Sequence, residues 1–193
     1  MLEKNKKILL HACCATCSGH VLHILKEDGW NVTVFFYNPN IHPQEEYKVR
    51  MNELKEYCIK NKVSFIEAGY DTKRWFELTK GMESESEGGA RCEVCYRMRL
   101  EKTAREAKEN GFNAFASTLT ISPHKKADVV NRLGKELARE YQIDFLEADW
   151  KKQNGFKCAC EIAKKEDFYR QNYCGCSYSL LERKRKGKIG QGS

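Results

Sequence analysis

The stretch KILLHACCATCSGH at residues 7–20 decides the fold that this sequence predicts. Its apolar run Lys7–His11 predicts a strand, and the cysteines that follow predict a loop. Over residues 18–28 the apolar side chains recur three and four positions apart, which predicts a helix. Strand, loop and helix in this order form the first unit of an alternating α/β pattern.

The same alternation continues along the chain. Further strands are predicted at residues 31–37, 64–67, 113–117 and 144–148, and helices at 44–60, 71–79, 92–110, 125–141 and 161–171. Strands separated by such helices require right-handed crossovers. We therefore expect an α/β fold with a doubly wound, mostly parallel five-stranded sheet and helices on both faces.

Length and composition predict one soluble catalytic domain over residues 1–193. Hydrophobic residues make up 41% and charged residues 32%, which is ordinary for a globular protein. We find no export signal and no apolar run of the roughly 20 residues that cross a bilayer, so we expect a cytoplasmic protein without membrane contact. Residues 83–90 (ESESEGGA) predict a mobile loop, and residues 183–193 a basic C-terminal tail. The net charge of +7 is compatible with a polyanionic partner.

Cysteine is the main chemical clue. Ten cysteines in a reducing compartment indicate metal binding or redox catalysis rather than disulfides. The grouped cysteines are Cys13, Cys14, Cys17, Cys92, Cys95, Cys158, Cys160, Cys174 and Cys176, with Cys58 alone. Spacing alone fits either a four-thiolate zinc site or an iron-sulfur cluster. We interpret Cys58 as a small buried hydrophobe, and Cys158 and Cys160, placed before the helix at 161–171, as non-ligands.

Position favours iron-sulfur chemistry over structural zinc. Open parallel sheets bind ligands at the carboxyl ends of their strands, where the predicted cysteine loops lie. We expect one shared rim there, made of Cys13, Cys14, Cys17, Asp71, Ser117, Thr118, Thr120, Ser122 and Asp149. Asp71 is either a carboxylate ligand or a helix cap. His11 and His124 also lie near this rim, where each is either a structural histidine or a proton donor.

The close pair Cys174 and Cys176 around Gly175 is capable of redox chemistry or of metal binding. Aromatic and basic side chains alternate in the last quarter of the sequence, from Trp150 to Tyr178 and on to the run RKRKGK at 183–188. This combination is able to stack unpaired bases and neutralise phosphates. A solvated basic tail explains the final run equally well.

Four separated motifs resemble one known family. They are LLHACCATCSGH at 9–20, RCEVCYRMRL at 91–100, STLTISPHK at 117–125 and YRQNYCGCSYS at 169–179. In this order they resemble the QueH type of epoxyqueuosine reductase over nearly the whole chain. Two features depart from that family: Thr16 stands where proline is expected, and Cys158 and Cys160 lie outside its cysteine pattern.

The resemblance implies an adenine-nucleotide-hydrolase-like (HUP-like) fold and the reduction of epoxyqueuosine to queuosine at the tRNA wobble position, with an unidentified electron donor. It also implies a [4Fe-4S] cluster and an additional iron ion. The matching ligands are Cys13, Cys14, Cys17, Asp71, Cys92, Cys95, Cys174 and Cys176, among which Asp71, Cys174 and Cys176 are the candidate catalytic residues.

Two other functions fit parts of the pattern. An ATP-dependent iron-sulfur tRNA thiolase shares the fold class, and Ser18 and Gly19 resemble part of a phosphate loop. Such a loop needs several glycines, whereas Cys13, Cys14 and Cys17 occupy that space. The second alternative is a zinc-stabilised RNA-binding module without catalysis, which metal content distinguishes from both enzymes.

Overall fold

The computed structural model describes residues 6–189 and contains one five-stranded parallel sheet. The strands are β1 (Lys7–His11), β2 (Asn31–Phe36), β3 (Ser64–Glu67), β4 (Ala114–Ser117) and β5 (Asp144–Phe145). They lie in the order β3-β2-β1-β4-β5. The predicted parallel α/β sheet is therefore confirmed.

Seven α-helices accompany the sheet within the described residues. They are α1 (Ala15–Glu27), α2 (Gln44–Lys60), α3 (Thr72–Thr79), α4 (Ala90–Glu109), α5 (Ala127–Tyr141), α6 (Gly155–Lys165) and α7 (Ser177–Ile189). A 3₁₀ turn, Thr118–Ile121, follows β4. In that part of the chain, no helix combines the length and the apolar character needed to cross a membrane.

Alternate residues of β1 pack into two different hydrophobic cores, because successive side chains of a strand point to opposite faces of the sheet. Ile8 and Leu10 pack into the core that includes buried side chains of α1, α2 and α6. Leu9 packs into the other core, with buried side chains of α3, α4 and α5. Both faces of the sheet are thus covered, as the near-continuous apolar strands require.

The strand order reverses beside β1. The chain moves from β1 to β2 and β3 in one direction and then returns to place β4 on the other side of β1. Open α/β sheets bind ligands at this switch point, beyond the carboxyl ends of the strands. The loops after β1 and β4 are therefore the two that border the crevice.

The predicted start of the sixth helix is wrong. Helix α6 begins at Gly155 and ends at Lys165, so Cys158 and Cys160 lie inside the helix rather than before it. Gly155 allows this start because a Cβ there would lie 1.9 Å from the carbonyl oxygen of Trp150. At the α1–α6 contact, Gly19 similarly makes room for Ile162.

Two other boundaries also differ from the sequence prediction. Strand β5 has only two residues, although the apolar pattern continues to residue 148. Helix α7 extends through Ile189 in the region predicted as a basic tail, whose residues 190–193 lie outside the described part. Strand β5 pairs with β4 only at Asp144 and Phe145, opposite Ala114 and Phe115.

Candidate metal centre and active-site cleft

Three cysteine sulfurs converge where β1 passes into α1. The Sγ atoms of Cys13, Cys14 and Cys17 all lie within 4.8 Å of one another, and those of Cys13 and Cys14 are 3.9 Å apart. Cys14 is the residue just before α1, where free backbone N–H groups and the helix dipole favour thiolates. The hydroxyl of Ser18 donates to the carbonyl of Cys14 at 2.7 Å and holds this turn.

A second thiol group is built from the loop before α7 and from α4. The loop needs Gly175, whose φ of +109° lies in the left-handed region and whose added Cβ would meet Ile41 at 3.0 Å. The backbone N–H of His42 donates to the carbonyl of Gly175 at 2.7 Å. The backbone N–H of Ser179 donates to Sγ of Cys176 at 3.3 Å. The first contact holds the backbone of the loop, and the second orients the thiol of Cys176.

Two adjoining cavities connect the thiol groups. A cleft of about 480 Å³ is lined by Cys13, Cys17 and Cys174. A smaller cavity of about 20 Å³ is lined by Cys174 together with Cys95 and Cys176. Because Cys174 lines both, the two groups belong to one site at the switch point of the sheet.

The three thiols beside α1 divide into one acidic and two weakly acidic groups. Hydrogen bonds from Cys14 and Cys17 hold the pKa of Cys13 well below its usual range, and Lys125 and Arg99 lower it further. The pKa of Cys14 is raised to about 12, because its hydrogen bond goes to Cys13. The same hydrogen bonding raises the pKa of Cys17. One thiolate is thus favoured in this group.

The loop pair divides in the same way. A hydrogen bond from Cys176 lowers the pKa of Cys174 well below its usual range against the effect of burial, and the charge of Lys125 adds to the lowering. The pKa of Cys176 is raised because Cys176 donates that bond and is buried. Each thiol group therefore carries one favoured thiolate.

Two cations, buried Arg99 and partly buried Lys125, balance these thiolates. Burial opposes the charge of Arg99, but Cys95 and Cys13 outweigh it and raise the pKa of its guanidinium. The pKa of Lys125 is raised against burial by Cys13, Cys17 and Cys174. Lys125 lines both cavities, so its ammonium group lies between the two thiol groups.

Arg50 holds the loop pair from α2. Its Nη1 and Nη2 atoms donate to the carbonyls of Cys174 and Tyr173 at 3.3 and 3.2 Å. Its Nη2 atom also lies 2.7 Å from Oε1 of Glu46, and its side chain is only 1% exposed. Arg50 therefore connects a buried ion pair to the backbone of the loop.

Most predicted ligands meet in this site. The structure brings together Cys13, Cys14, Cys17, Cys95, Cys174 and Cys176, with Cys92 one helical turn before Cys95 on α4. The backbone N–H of Gly88 donates to Sγ of Cys92 at 3.2 Å. The expected convergence of the cysteine loops is therefore observed, although ligation itself stays a prediction.

The structure does not bring Asp71 to this rim. Asp71 precedes α3 and its Oδ1 accepts from the backbone N–H of Arg74 at 3.2 Å, which is the helix-cap alternative. Its side chain lines a separate cavity with Tyr37 and Glu101. The reason is the strand order: β3 is an edge strand, separated from β1 by β2. Its role as a metal ligand stays a prediction.

The other rim candidates differ in position. Ser122 and His124 line the cleft, whereas Ser117 receives a contact of 3.0 Å from the buried ring of His11. Burial lowers the pKa of His11 to about 3, so this ring is a neutral structural group. Asp149 forms an ion pair of 3.2 Å with Lys151 beyond β5. Thr118 and Thr120 are buried in the 3₁₀ turn.

The cysteines interpreted as non-ligands fall into two classes. Cys58 is fully buried in a hydrophobic core, and burial raises its pKa to about 12. Cys160 lines the cleft from α6, although it lies outside the three-sulfur group. The prediction for Cys160 depended on a helix start that the structure corrects.

Sequence reasoning missed the charged and amide side chains around the thiols. Lys125, Arg99 and Gln171 all lie within the four motifs quoted for the family resemblance. Membership of those motifs already distinguished these positions, although the sequence reasoning used only the cysteines. Arg50 had no such signal, because a residue four positions after Glu46 on a helix predicts an exposed ion pair. Only the packed structure shows that this pair is buried.

The donor set fits an iron-sulfur group. Soft thiolates bind iron-sulfur clusters, and the site offers more thiols than a four-ligand zinc site needs. Buried Arg99 and partly buried Lys125 supply positive charge beside these thiols. All ten cysteines are free thiols, so none of the candidate ligands is consumed by a disulfide.

Comparison with known proteins gives one consistent family. The family described as epoxyqueuosine reductase QueH matches residues 8–182. A relative named epoxyqueuosine reductase QueH from Acinetobacter baylyi is 46% identical over 184 residues, covering 95% of this chain and 84% of the relative. Another with the same name, from Thermotoga maritima, is 33% identical and covers 93% of each chain.

Two solved structures share the fold. The U34-tRNA thiolase NcsA from Methanococcus maripaludis, solved with its [4Fe-4S] cluster, superposes with a TM-score of 0.60 at 10% identity, covering 98% of this chain and 67% of that one. A predicted tRNA methyltransferase subunit from Methanocaldococcus jannaschii gives a TM-score of 0.55 at 14% identity, covering 79% and 76%. At such identities the likeness concerns the fold, and it agrees with the predicted HUP-like class.

Proposed function

The chain belongs to the epoxyqueuosine reductase QueH family, and from this membership we propose that it reduces epoxyqueuosine to queuosine in tRNA. This oxidoreductase step is the last one in making the nucleoside. The family match supports this function over the two alternatives, the tRNA thiolase and the zinc-stabilised RNA-binding module.

One structural observation carries the proposal. Cysteines from the junction of β1 and α1, from α4 and from the loop before α7 meet at the switch point of the sheet, beside a cleft of about 480 Å³. A cleft of this size is in the range that holds small ligands or a nucleoside. A group of thiols at its wall suits a redox reaction rather than a structural role.

The proposed ligands of a [4Fe-4S] cluster and an additional iron ion are the seven cysteines Cys13, Cys14, Cys17, Cys92, Cys95, Cys174 and Cys176. When bound, these iron centres supply single electrons and a Lewis acid. Asp71 remains a predicted further ligand. The variant Asp71→Asn tests it, because asparagine caps helices equally well, and ligation predicts a loss of iron per chain without a loss of stability.

The reaction itself sets requirements for the surrounding residues. Reducing the epoxide to an alkene consumes two electrons and two protons and releases the oxygen as water. Lys125 provides an ammonium group between the thiol groups, where negative charge develops on the leaving oxygen. Phe156 lines the cleft and contributes apolar surface that limits water around the reacting ring. The electrons come from a donor that remains to be identified.

Residues at the cleft mouth suit an RNA substrate. Arg170 and Arg183 line it and are able to contact phosphates, and Phe156 and Tyr173 offer aromatic rings to an unpaired base. Binding of a wobble nucleoside in the cleft requires the anticodon loop at this mouth. A tRNA-modifying activity of this kind belongs in the cytoplasm.

The decisive experiment uses anaerobic, iron-loaded protein with tRNA from cells that lack the final reductase. After addition of a strong reductant, the RNA is digested and its nucleosides are analysed by mass. We expect epoxyqueuosine to lose the mass of one oxygen. A product that gains sulfur and requires ATP would identify a thiolase, and protein that holds zinc without sulfide would identify the binding module.

Matched cysteine variants connect the activity to the site. We expect Cys13→Ser and Cys174→Ser to lower both the iron content per chain and the turnover. Cys158→Ser is the control, because Cys158 lies on α6 and belongs to neither thiol group. Full iron content and turnover in Cys13→Ser would contradict the proposed site.

A further inference from the structure

Helix α7 packs against the rest of the protein through its first turn. The ring of Tyr178 lies 5.5 Å from the ring of Trp75, and Cζ of Arg91 lies 4.6 Å from the centroid of the same Tyr178 ring. Ser179, in the same turn, is buried. Leu181, by contrast, is 51% exposed although it is apolar. The helix is therefore anchored at its start and offers its later residues to solvent.

The exposed part of α7 has clustered positive charge beside the cleft. The run RKRKGK at 183–188 contains five basic residues. Arg183 lines the cleft of about 480 Å³, and its Nη1 atom donates to the carbonyl of Asn172. Lys184 and Arg185 follow directly, are exposed and lie outside the cleft lining. Neither side chain forms an ion pair within the described part of the chain, so both charges are available to a partner at the cleft mouth.

The composition of this segment indicates a polyanion as the partner. The sequence ERKRKGK at 182–188 contains no large apolar residue, whereas a helix that lies on a membrane needs an apolar face. Uncompensated positive charge attracts nucleic-acid phosphates, which Lys and Arg neutralise. A merely solvated tail needs no fixed position, whereas Tyr178 and Arg183 hold α7 beside the cleft.

We propose that Lys184 and Arg185 bind backbone phosphates of the substrate tRNA and hold its anticodon arm over the cleft. This inference rests on the proposed function, because that function places the wobble nucleoside in the cleft whose mouth Arg183 lines. The 13 residues of α7 span about 20 Å, so the helix extends to phosphates outside the cleft. Phosphate contacts position an RNA without reading its bases, and selection of the modified base is left to the cleft.

The salt dependence of RNA binding tests the inference. Anaerobic, iron-loaded protein is mixed, without reductant, with tRNA that carries epoxyqueuosine or with the same tRNA carrying guanine. The dissociation constants are measured between about 50 and 200 mM salt for the wild type and for the double variant Lys184→Gln/Arg185→Gln. Binding to vesicles that contain phosphatidylserine is measured in the same buffers.

Two double variants serve as controls. Lys62→Gln/Arg139→Gln removes the same two charges from exposed positions near the amino ends of β3 and β5, at the edge of the sheet opposite the cleft. Lys184→Arg/Arg185→Lys keeps both charges on α7. Iron per chain is measured for every protein, which shows whether each variant still forms the metal site.

We expect the affinity of the wild type for tRNA to fall steeply with salt. Each phosphate contact contributes about 0.7–0.9 to the slope of log K against log salt concentration, so Lys184→Gln/Arg185→Gln should lower the slope by about 1.4–1.8. Its affinity at about 50 mM salt should fall at least about tenfold, and equally for both RNAs. Both controls should keep the wild-type slope, and all variants should keep the wild-type iron content.

The inference is overturned if Lys184→Gln/Arg185→Gln keeps the wild-type slope, and a loss of vesicle binding in that case would assign the helix to a membrane surface. It is likewise overturned if Lys62→Gln/Arg139→Gln lowers the slope as much, since only net charge then matters, or if binding of the modified tRNA alone is weakened. Failure of the proposed function looks different: after addition of reductant, the wild type itself leaves epoxyqueuosine with its oxygen.

Discussion

Replacing Arg50 should destabilise the protein and release the loop pair of cysteines. Its guanidinium, with a side chain 1% exposed, is paired with Glu46 and donates to the carbonyls of Tyr173 and Cys174. Arg50→Met removes all of these contacts but keeps most of the apolar stem. Glu46 then remains as a carboxylate without its cation, and two carbonyls of the loop lose their donor.

The expected magnitude follows from these contacts. Removing one partner of a buried ion pair costs about 3–5 kcal/mol, and a hydrogen bond to a charged group contributes about 1.5–3 kcal/mol. The contacts share one side chain, so their energies are not additive. Glu46 is 11% exposed and keeps a hydrogen bond of 2.8 Å from the Tyr169 hydroxyl. We therefore expect a loss of about 3 kcal/mol.

Urea titration of reduced, metal-free protein, followed by circular dichroism, measures the free energy of unfolding. The matched control is Arg97→Met, which breaks ion pairs with Glu136 and Glu140 at a site 43% exposed. Such surface pairs contribute about 0–1 kcal/mol. A loss below about 1 kcal/mol for Arg50→Met, equal to that of the control, would refute the reasoning that the buried pair supports the loop.

Three further predictions concern the same region. Gly175→Ala should lower the free energy of unfolding by about 1–3 kcal/mol and reduce the iron content, because φ is +109° and the added Cβ would lie 3.2 Å from Nη1 of Arg50. Urea titration measures the first effect and iron analysis the second. Unchanged values would contradict the strain argument. Burial holds the pKa of His11 at about 3 against 6.5 in the unfolded chain, so the unfolded state takes up this proton first as the pH falls. The free energy of unfolding should therefore drop by up to about 1.4 kcal/mol per unit between pH 6.5 and 3, and urea titrations of wild type and His11→Gln should differ by this slope. In metal-free protein at pH 7, iodoacetamide should modify Cys174 at least about tenfold faster than Cys58, because the pKa of Cys174 is lowered and that of Cys58 is about 12. Peptide mass analysis measures the two rates. Equal rates would contradict the assignment of Cys174 as a thiolate.

Much of the fold was predictable because its signals are local. The apolar run Lys7–His11 and the helix Gln44–Lys60 have the boundaries that the sequence predicts. The start of helix α6 was predicted wrongly, because its start at Gly155 depends on a close approach to the Trp150 carbonyl that no local sequence pattern indicates. Similarly, the length of β5 depends on its pairing with β4.

The candidate site was predictable only in part. The spacing of Cys13, Cys14 and Cys17 already requires their sulfurs to be close, because they occupy one turn at the start of a helix. The assignment of Asp71 to the same rim followed from strand ends alone, which do not reveal strand order. An edge position for β3 places Asp71 beside a different cavity.

By itself, the sequence determined the alternating α/β pattern, the three cysteine motifs and the family, all of which depend on residues near one another in the chain. Tertiary structure alone decided that β4 lies beside β1, that Cys174 meets Lys125 between two cavities, and that Gln171 reaches Cys14 across 157 positions. The physical reason is that covalent geometry limits distances over only a few residues. Beyond that range, packing of the two hydrophobic cores on the sheet decides which side chains meet.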